Sequence, residues 1–188
     1  MKNRCQWSEG DPQYVNYHDK EWGVPVRDEQ KQFEFLTLEI FQAGLSWITV
    51  LRKRENFRKA FDQFDFHKVA KYKEDKIKAL MKDAGLIRNQ LKIKAALNNA
   101  KCFTDFQKKG GSFTDYLWGF VNYRPIQNNY EKQEDIPSKS SLSQVISKNL
   151  KKRGFKFVGP TIIYAHLQAT GIVNDHLTTC FRHQELKG

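Results

Sequence analysis

The stretch DEQKQFEFLTLEIFQAG, residues 28–44, constrains the fold more than any other part of this chain. Phe33, Leu36, Ile40 and Phe41 fall at i, i+3, i+7 and i+8, which lines one face of an α-helix and neither face of a β-strand. Asp28 suits the N-cap, and Gly44 closes the segment. A second helix restarts at Ser46 in SWITVLRKRENFRKAFDQF, with Arg52, Lys53 and Arg54 on a face expected to be partly solvated. EDKIKALMKDAG and RNQLKIKAALNNAKCFTDF continue the helical pattern. In the latter, Cys102 sits among Leu97, Phe103 and Phe106 as a small buried hydrophobe. Residues 124–144 are polar and turn-forming and read as a surface loop, followed by a helix from about Ser143 to Arg153. With no internal repeat and no series of alternating strands, the expected class is all-α.

A chain of 188 residues can bury one sizeable core, so a single domain over 1–188 is expected. The net charge of +11 calls for a polyanionic partner, and nucleic acid fits better than an acidic membrane face. No apolar run approaches a membrane span, and the opening MKNRCQWSEGD lacks the apolar core of a signal peptide. A cytoplasmic or nucleoid-associated monomer is the expectation. Three cysteines argue against a disulfide framework and leave metal ligation or burial as their uses.

LKKRGFKFVGPTIIYAHLQATG ends one helix at Gly154 and starts another with Pro160 at its first position. A helix beginning after Gly159 offers free N–H groups and the positive end of its dipole, which suits a phosphate oxygen without reading any base. Lys151, Lys152 and Arg153 add charge beside it. A plain helical hairpin fits the same pattern, and the charge of the whole chain favours contact with DNA.

Trp7, Tyr14, Tyr17 and Trp22 crowd into CQWSEGDPQYVNYHDKEWG among polar residues rather than the Leu, Ile and Val of a core. That company suits a partly lined cavity, and a nucleobase stacked on such rings gains on the order of 1–3 kcal/mol. In LEIFQAGLSW, Glu39 lies at the margin of its helix's apolar face, where a carboxylate is ordinarily solvated, and Trp47 follows the glycine turn. Near the other end, NDHLTTC sets His176 four residues before Cys180; taken alone, the pair reads as a surface histidine and a stray buried thiol.

Together DPQYVNYHDKEWGVP, LEIFQAGLSWITVLRKRENF, DAGLIRN, LKKRGFKFVGPTI and GIVNDH closely resemble the bacterial 3-methyladenine DNA glycosylase I family over nearly the whole chain. The resemblance implies an all-α helix-hairpin-helix glycosylase fold and hydrolysis of the N-glycosidic bond of 3-methyladenine in alkylated double-stranded DNA. It also implies one structural Zn²⁺, held by Cys5 and His18 from one end and His176 and Cys180 from the other as a clasp joining the termini. Two thiolates and two imidazoles with no fifth ligand make a closed tetrahedral site.

Carried over by position, the resemblance gives Glu39 to the base's hydrogen-bonding edge and makes Tyr17 and Trp47 stack on the base. Trp7, Tyr14 and Trp22 complete the pocket, and Leu45 matches the apolar wedge that fills the gap left by an extruded nucleotide. The wider superfamily places a catalytic aspartate after the hairpin. The nearest residue here is Asp175, and the glycosylase I family does without one, so Asp175 takes no such role. No lysine matches a nucleophile position, which implies hydrolysis without strand cleavage.

A methyl group on N3 makes adenine cationic, so the base leaves neutral and its bond to the sugar is already weak. The work left is to extrude the nucleotide, hold the cation between electron-rich rings and admit water. A non-enzymatic, zinc-stapled helix-hairpin-helix DNA-binding module fits charge and hairpin equally, but not a carboxylate among rings. A thiol enzyme using Cys180 and His176 lacks a third partner and leaves Cys5 and His18 without a use.

Overall fold

The structure is a computed structural model and describes residues 2–187. It is almost wholly helical: α1 (Pro12–Lys20), α2 (Glu29–Gln42), α3 (Trp47–Ala60), α4 (Phe66–Val69), α5 (Glu74–Lys82), α6 (Gln90–Lys108), α7 (Phe113–Gly119), α8 (Ser141–Lys152), α9 (Pro160–Ala169) and α10 (Phe181–Glu185). No helix among the described residues is long and apolar enough to cross a membrane.

The Asp28 side chain caps α2 by accepting from Lys31 N at 2.7 Å, as the sequence predicts. What the periodicity does not show is that every residue from Gln32 to Phe41 is buried. α2 is the axis of the fold, packed by α3, α6, α7 and α9. Phe33, Leu36 and Phe41 face a phenylalanine-rich core shared with Phe57, Phe103 and Phe113, whereas Phe35 faces a second cluster with Cys5, Tyr17, Trp22, Leu177 and Cys180. A central helix has no solvated margin, so Glu39 departs from the ordinary solvated carboxylate of such a position: its residue is 5% exposed.

The same burial corrects Arg54, expected on a partly solvated face. Its guanidinium joins three helices, with Nε 2.7 Å from Glu34 Oε1 on α2 and Nη1 2.8 Å from Glu21 Oε2 just past α1. A buried guanidinium requires such partners, because losing water without them costs several kcal/mol.

α8 begins two residues before the expected Ser143, because Ser140 is the N-cap and Ser143 is its reciprocal partner in a capping box. Its end is as expected: Gly154 takes φ +88°, and Phe155 N donates back to Leu150 O at 3.1 Å. α9 starts at Pro160 with Gly159 as N-cap. Gly159 has an ordinary φ of −63°, and a side-chain carbon there would meet nothing within 4 Å, so the surface outside it is open. Residues 124–144 are not wholly loop. Ile126–Gln127 pairs in parallel with Val173–Asn174, and a short 3₁₀ turn, Gln133–Asp135, leads to a half-buried Ile136. Cys102 is half-buried against the core, its thiol directed at Arg153 O.

Candidate active site and metal centre

α1, α2 and α3 meet around a cavity of about 220 Å³. Trp7, Tyr17, Trp22 and Trp47 line it with Glu39, and Gln42, Gln133, Ile136, Ala165 and Gln168 complete the wall. The rings brace one another: Trp7 meets Trp22 edge-on at 5.1 Å, and Tyr17 lies 5.3 Å from Trp47. Tyr14 stands outside this group. Its ring packs edge-on against the back of Trp7 at 5.6 Å, and its hydroxyl accepts from Ile48 N at 3.0 Å, satisfying one of the free N–H groups of α3.

Three polar groups at the cavity lack a partner among the described residues. Tyr17 OH and Trp47 Nε1 are buried donors with nothing to donate to. The Glu39 carboxyl is pushed up to about 8 by burial, with no neighbouring cation or donor offsetting it. Burial, and then the proximity of Glu39, raises the Tyr17 phenol well above its usual value. Unsatisfied buried donors cost about 1–3 kcal/mol each, and at the cavity wall a ligand or water can satisfy them.

Gln42, Gln133, Ile136, Ala165 and Gln168 escaped sequence reasoning. Ala165 and Gln168 are one turn apart on α9, a signal that becomes readable only once the facing side of α9 is known. Gln133 and Ile136 come from the irregular segment, where no periodicity marks a wall. Asp175 is buried and fully engaged, accepting from Asn128 Nδ2 at 2.6 Å, Tyr164 OH at 2.5 Å and Gln168 Nε2 at 2.8 Å.

Leu45 lies in the turn between Gln42 and Trp47, two residues of the cavity lining, and is itself 40% exposed. Lys151, Lys152, Gly154 and Gly159 lie outside the cavity at the connection between α8 and α9. α9 links the two regions, since Gly159 caps its start and it carries Ala165 and Gln168.

Behind the rings, Cys5, His18, His176 and Cys180 are all buried, and their potential ligand atoms lie within 4.8 Å of one another. His18 Nε2 is 3.4 Å from Cys180 Sγ, and His176 Nδ1 is 3.6 Å from Cys5 Sγ and 3.7 Å from Cys180 Sγ. The outer nitrogens are committed elsewhere: His18 Nδ1 to Asp19 Oδ1 at 2.8 Å, and His176 Nε2 to Trp22 O at 3.0 Å. Each ring, as a donor to those oxygens, turns its lone pair toward the thiols. Arg4 grips Asp19 with Nε and Nη2 and holds its carboxyl down at about 2. Hydrogen bonding from Cys5, then from the two histidines, lowers the Cys180 thiol, while Cys180 and burial raise that of Cys5. The group could hold a metal ion. Gly23, at φ +80°, is required where it stands, since a side-chain carbon would come within 3.0 Å of His176 Nε2.

A helical protein with a ring-lined cavity, one unpartnered carboxyl and two waiting donors belongs to the class that captures a flat aromatic ligand carrying polar edges. The methyladenine glycosylase family model matches residues 7–183, and the chain belongs to that family. DNA-3-methyladenine glycosylase 1 of Escherichia coli (strain K12) is 50% identical over 177 residues, 94% of this chain and 95% of that protein. The DNA-3-methyladenine glycosylase of Haemophilus influenzae is 49% identical over 180 residues, 96% of this chain and 97% of its own. A crystal structure of 3-methyladenine DNA glycosylase I superimposes with a TM-score of 0.93 at 47% identity, covering 95% of this chain and 98% of that one. The Staphylococcus aureus enzyme, whose structure addresses 3-methyladenine recognition, gives 0.91 at 37% identity with 96% of both chains covered.

Proposed function

We propose that the protein removes 3-methyladenine from alkylated double-stranded DNA by extruding the nucleotide and hydrolysing its N-glycosidic bond. The observation that carries this reading is Glu39: a buried, unpartnered carboxyl among four aromatic rings, in a chain with a net charge of +11. In the empty cavity the carboxyl is held protonated near neutral pH. A cationic base entering beside it favours the carboxylate and draws its pKa back down, so a charged base gains an interaction that neutral adenine does not. Tyr17 and Trp47 stack on the base, Trp7 and Trp22 close its edges, and the two waiting donors find acceptors on it or on water.

The chemistry asks little more. As the C1′–N9 bond breaks, its electron pair stays with the base, which leaves neutral; water adds to the oxocarbenium-like sugar and loses a proton to solvent. Asp175 is given no part as a base in this reading, its carboxylate being buried and accepting from three donors. Leu45, at the cavity's edge, fills the space vacated in the duplex. Lys151 and Lys152, with the open backbone of Gly154 and Gly159 and the start of α9, meet phosphates in a helix-hairpin-helix manner.

Zn²⁺ is the ion that the Cys5, His18, His176 and Cys180 set fits. Zinc–sulfur and zinc–nitrogen bonds of about 2.3 and 2.0 Å at tetrahedral angles imply S···N separations of about 3.5 Å. The three observed separations, 3.4, 3.6 and 3.7 Å, bracket that figure. With all four positions filled by protein, the ion's part is structural.

The test is incubation with methylated duplex DNA and chromatography of whatever base is released. Release of 3-methyladenine is expected. Binding of the DNA without release would make the protein a binding module instead.

A further inference from the structure

Lys92 stands near the start of α6, is 7% exposed and has no carboxylate partner among the described residues. Its ammonium donates to Phe41 O at 3.0 Å, in the last turn of α2, and to Ala43 O at 2.5 Å, just past the helix end. The Phe41 carbonyl belongs to the negative end of the helix dipole, and neither carbonyl has another partner among the described residues. Burial lowers the lysine's pKa, so the contact exacts a desolvation cost that an ordinary capping water would not.

What the ammonium holds is the turn that lifts Leu45 out of the fold. Gly44 takes φ +82° there, Leu45 N donates to Gln42 O at 2.7 Å, and Gln42 Nε2 donates back to Leu45 O at 3.0 Å. Those two bonds close the turn on itself, and Lys92 fastens it to the body through α6. Two residues beyond Leu45, Trp47 Nε1 waits in the cavity wall.

We propose that Lys92 is a positioning residue that holds the Ala43–Ser46 turn stiff, so that Leu45 can press into the duplex as the damaged nucleotide leaves. The proposal rests on the reading of Leu45 as a wedge. Lys92 touches neither base nor sugar, so its contribution belongs to opening the duplex and not to binding the base.

The test compares wild type, Lys92→Met, Leu45→Ala and the double variant in single-turnover excision from a methylated duplex and from the same strand alone, with free 3-methyladenine affinity measured in parallel. Lys92→Met should slow duplex excision by about tenfold while single-strand excision and free-base affinity change by less than about twofold. In the Leu45→Ala background it should cost less than about twofold more, because two residues acting through one wedge are not additive. Equal loss on both substrates, or a full added loss in the Leu45→Ala background, overturns the proposal. Normal duplex excision by Leu45→Ala removes the wedge and Lys92's role with it; an impaired Leu45→Ala beside an unimpaired Lys92→Met removes only Lys92. Should Lys92→Met not fold, Lys92→Gln, which keeps a donor, takes the same assays.

Discussion

His176 Nε2 donates to the backbone carbonyl of Trp22 at 3.0 Å, so a residue of the Cys/His group is bonded directly to a residue of the cavity wall. Whatever fixes the imidazole also fixes Trp22. Loss of the cluster should therefore be felt by a base that never touches it.

Elemental analysis of the purified protein should give about one zinc per chain. Cys180→Ser should lower zinc content, melting temperature and free-base affinity together. Retention of stoichiometric zinc by a Cys5→Ser, Cys180→Ser double variant would falsify the assignment.

The Glu39 carboxyl makes a signed prediction about pH. Its folded value of about 8 lies above the ordinary 4.5, so between those values the folded protein binds the extra proton and stability falls as pH rises. Below 4.5 the burial carries no charge cost; at pH 8 the cost is on the order of a few kcal/mol at roughly 1.4 kcal/mol per unit. Glu39→Gln should thus melt close to wild type at pH 4.5 and above it at pH 8. Parallel melting curves across that range would mean that the carboxyl is not buried uncompensated.

The same substitution should slow excision of 3-methyladenine by about 10²-fold, the low end for a positioned acid or base, since the leaving group is already activated. Trp47→Ala acts by a different route. Loss of one stacking face, about 1–3 kcal/mol, should weaken free-base affinity by tenfold or more. Excision equal to wild type in both variants, at matched folding and duplex affinity, would dismiss the cavity as the site.

Lys151→Ala and Lys152→Ala should weaken binding to all duplexes alike and reduce the steepness of the salt dependence by about one unit per lost phosphate contact. Free-base affinity should not move. An unaltered salt slope would place the phosphate track on another face.

Much of this was legible before any coordinates. The i, i+3, i+7, i+8 run of Phe33 to Phe41 gave α2, the Gly154 and Pro160 punctuation gave the α8–α9 connection, and the blocks around Tyr17, Glu39 and His176 pointed to the family. What stayed hidden has one physical cause: periodicity reports a helix's own apolar stripe and not how many neighbours surround it. Nothing local shows that α2 is enclosed, so its periodicity leaves Glu39 at a margin that only the resemblance to a family places in a pocket, and Arg54 reads as a partly solvated group. For Tyr14 the sequence places the ring on the same face as Tyr17, but only the packing of α3 shows that its hydroxyl serves Ile48 N. Gln133 and Ile136 reach the cavity from irregular chain, where side-chain direction follows from the fold and from no repeat.

The contact between Cys5 and His176 spans 171 positions of sequence. A ribosome builds the N-terminal end first, so Trp7, Tyr17 and Trp22 emerge long before the residues that fasten them exist. Until then those rings have no partner from the far end of the chain to cover them. The rings that line the cavity are thus covered only once the last residues of the chain have been made, whereas the phenylalanine core draws mostly on segments between the two ends.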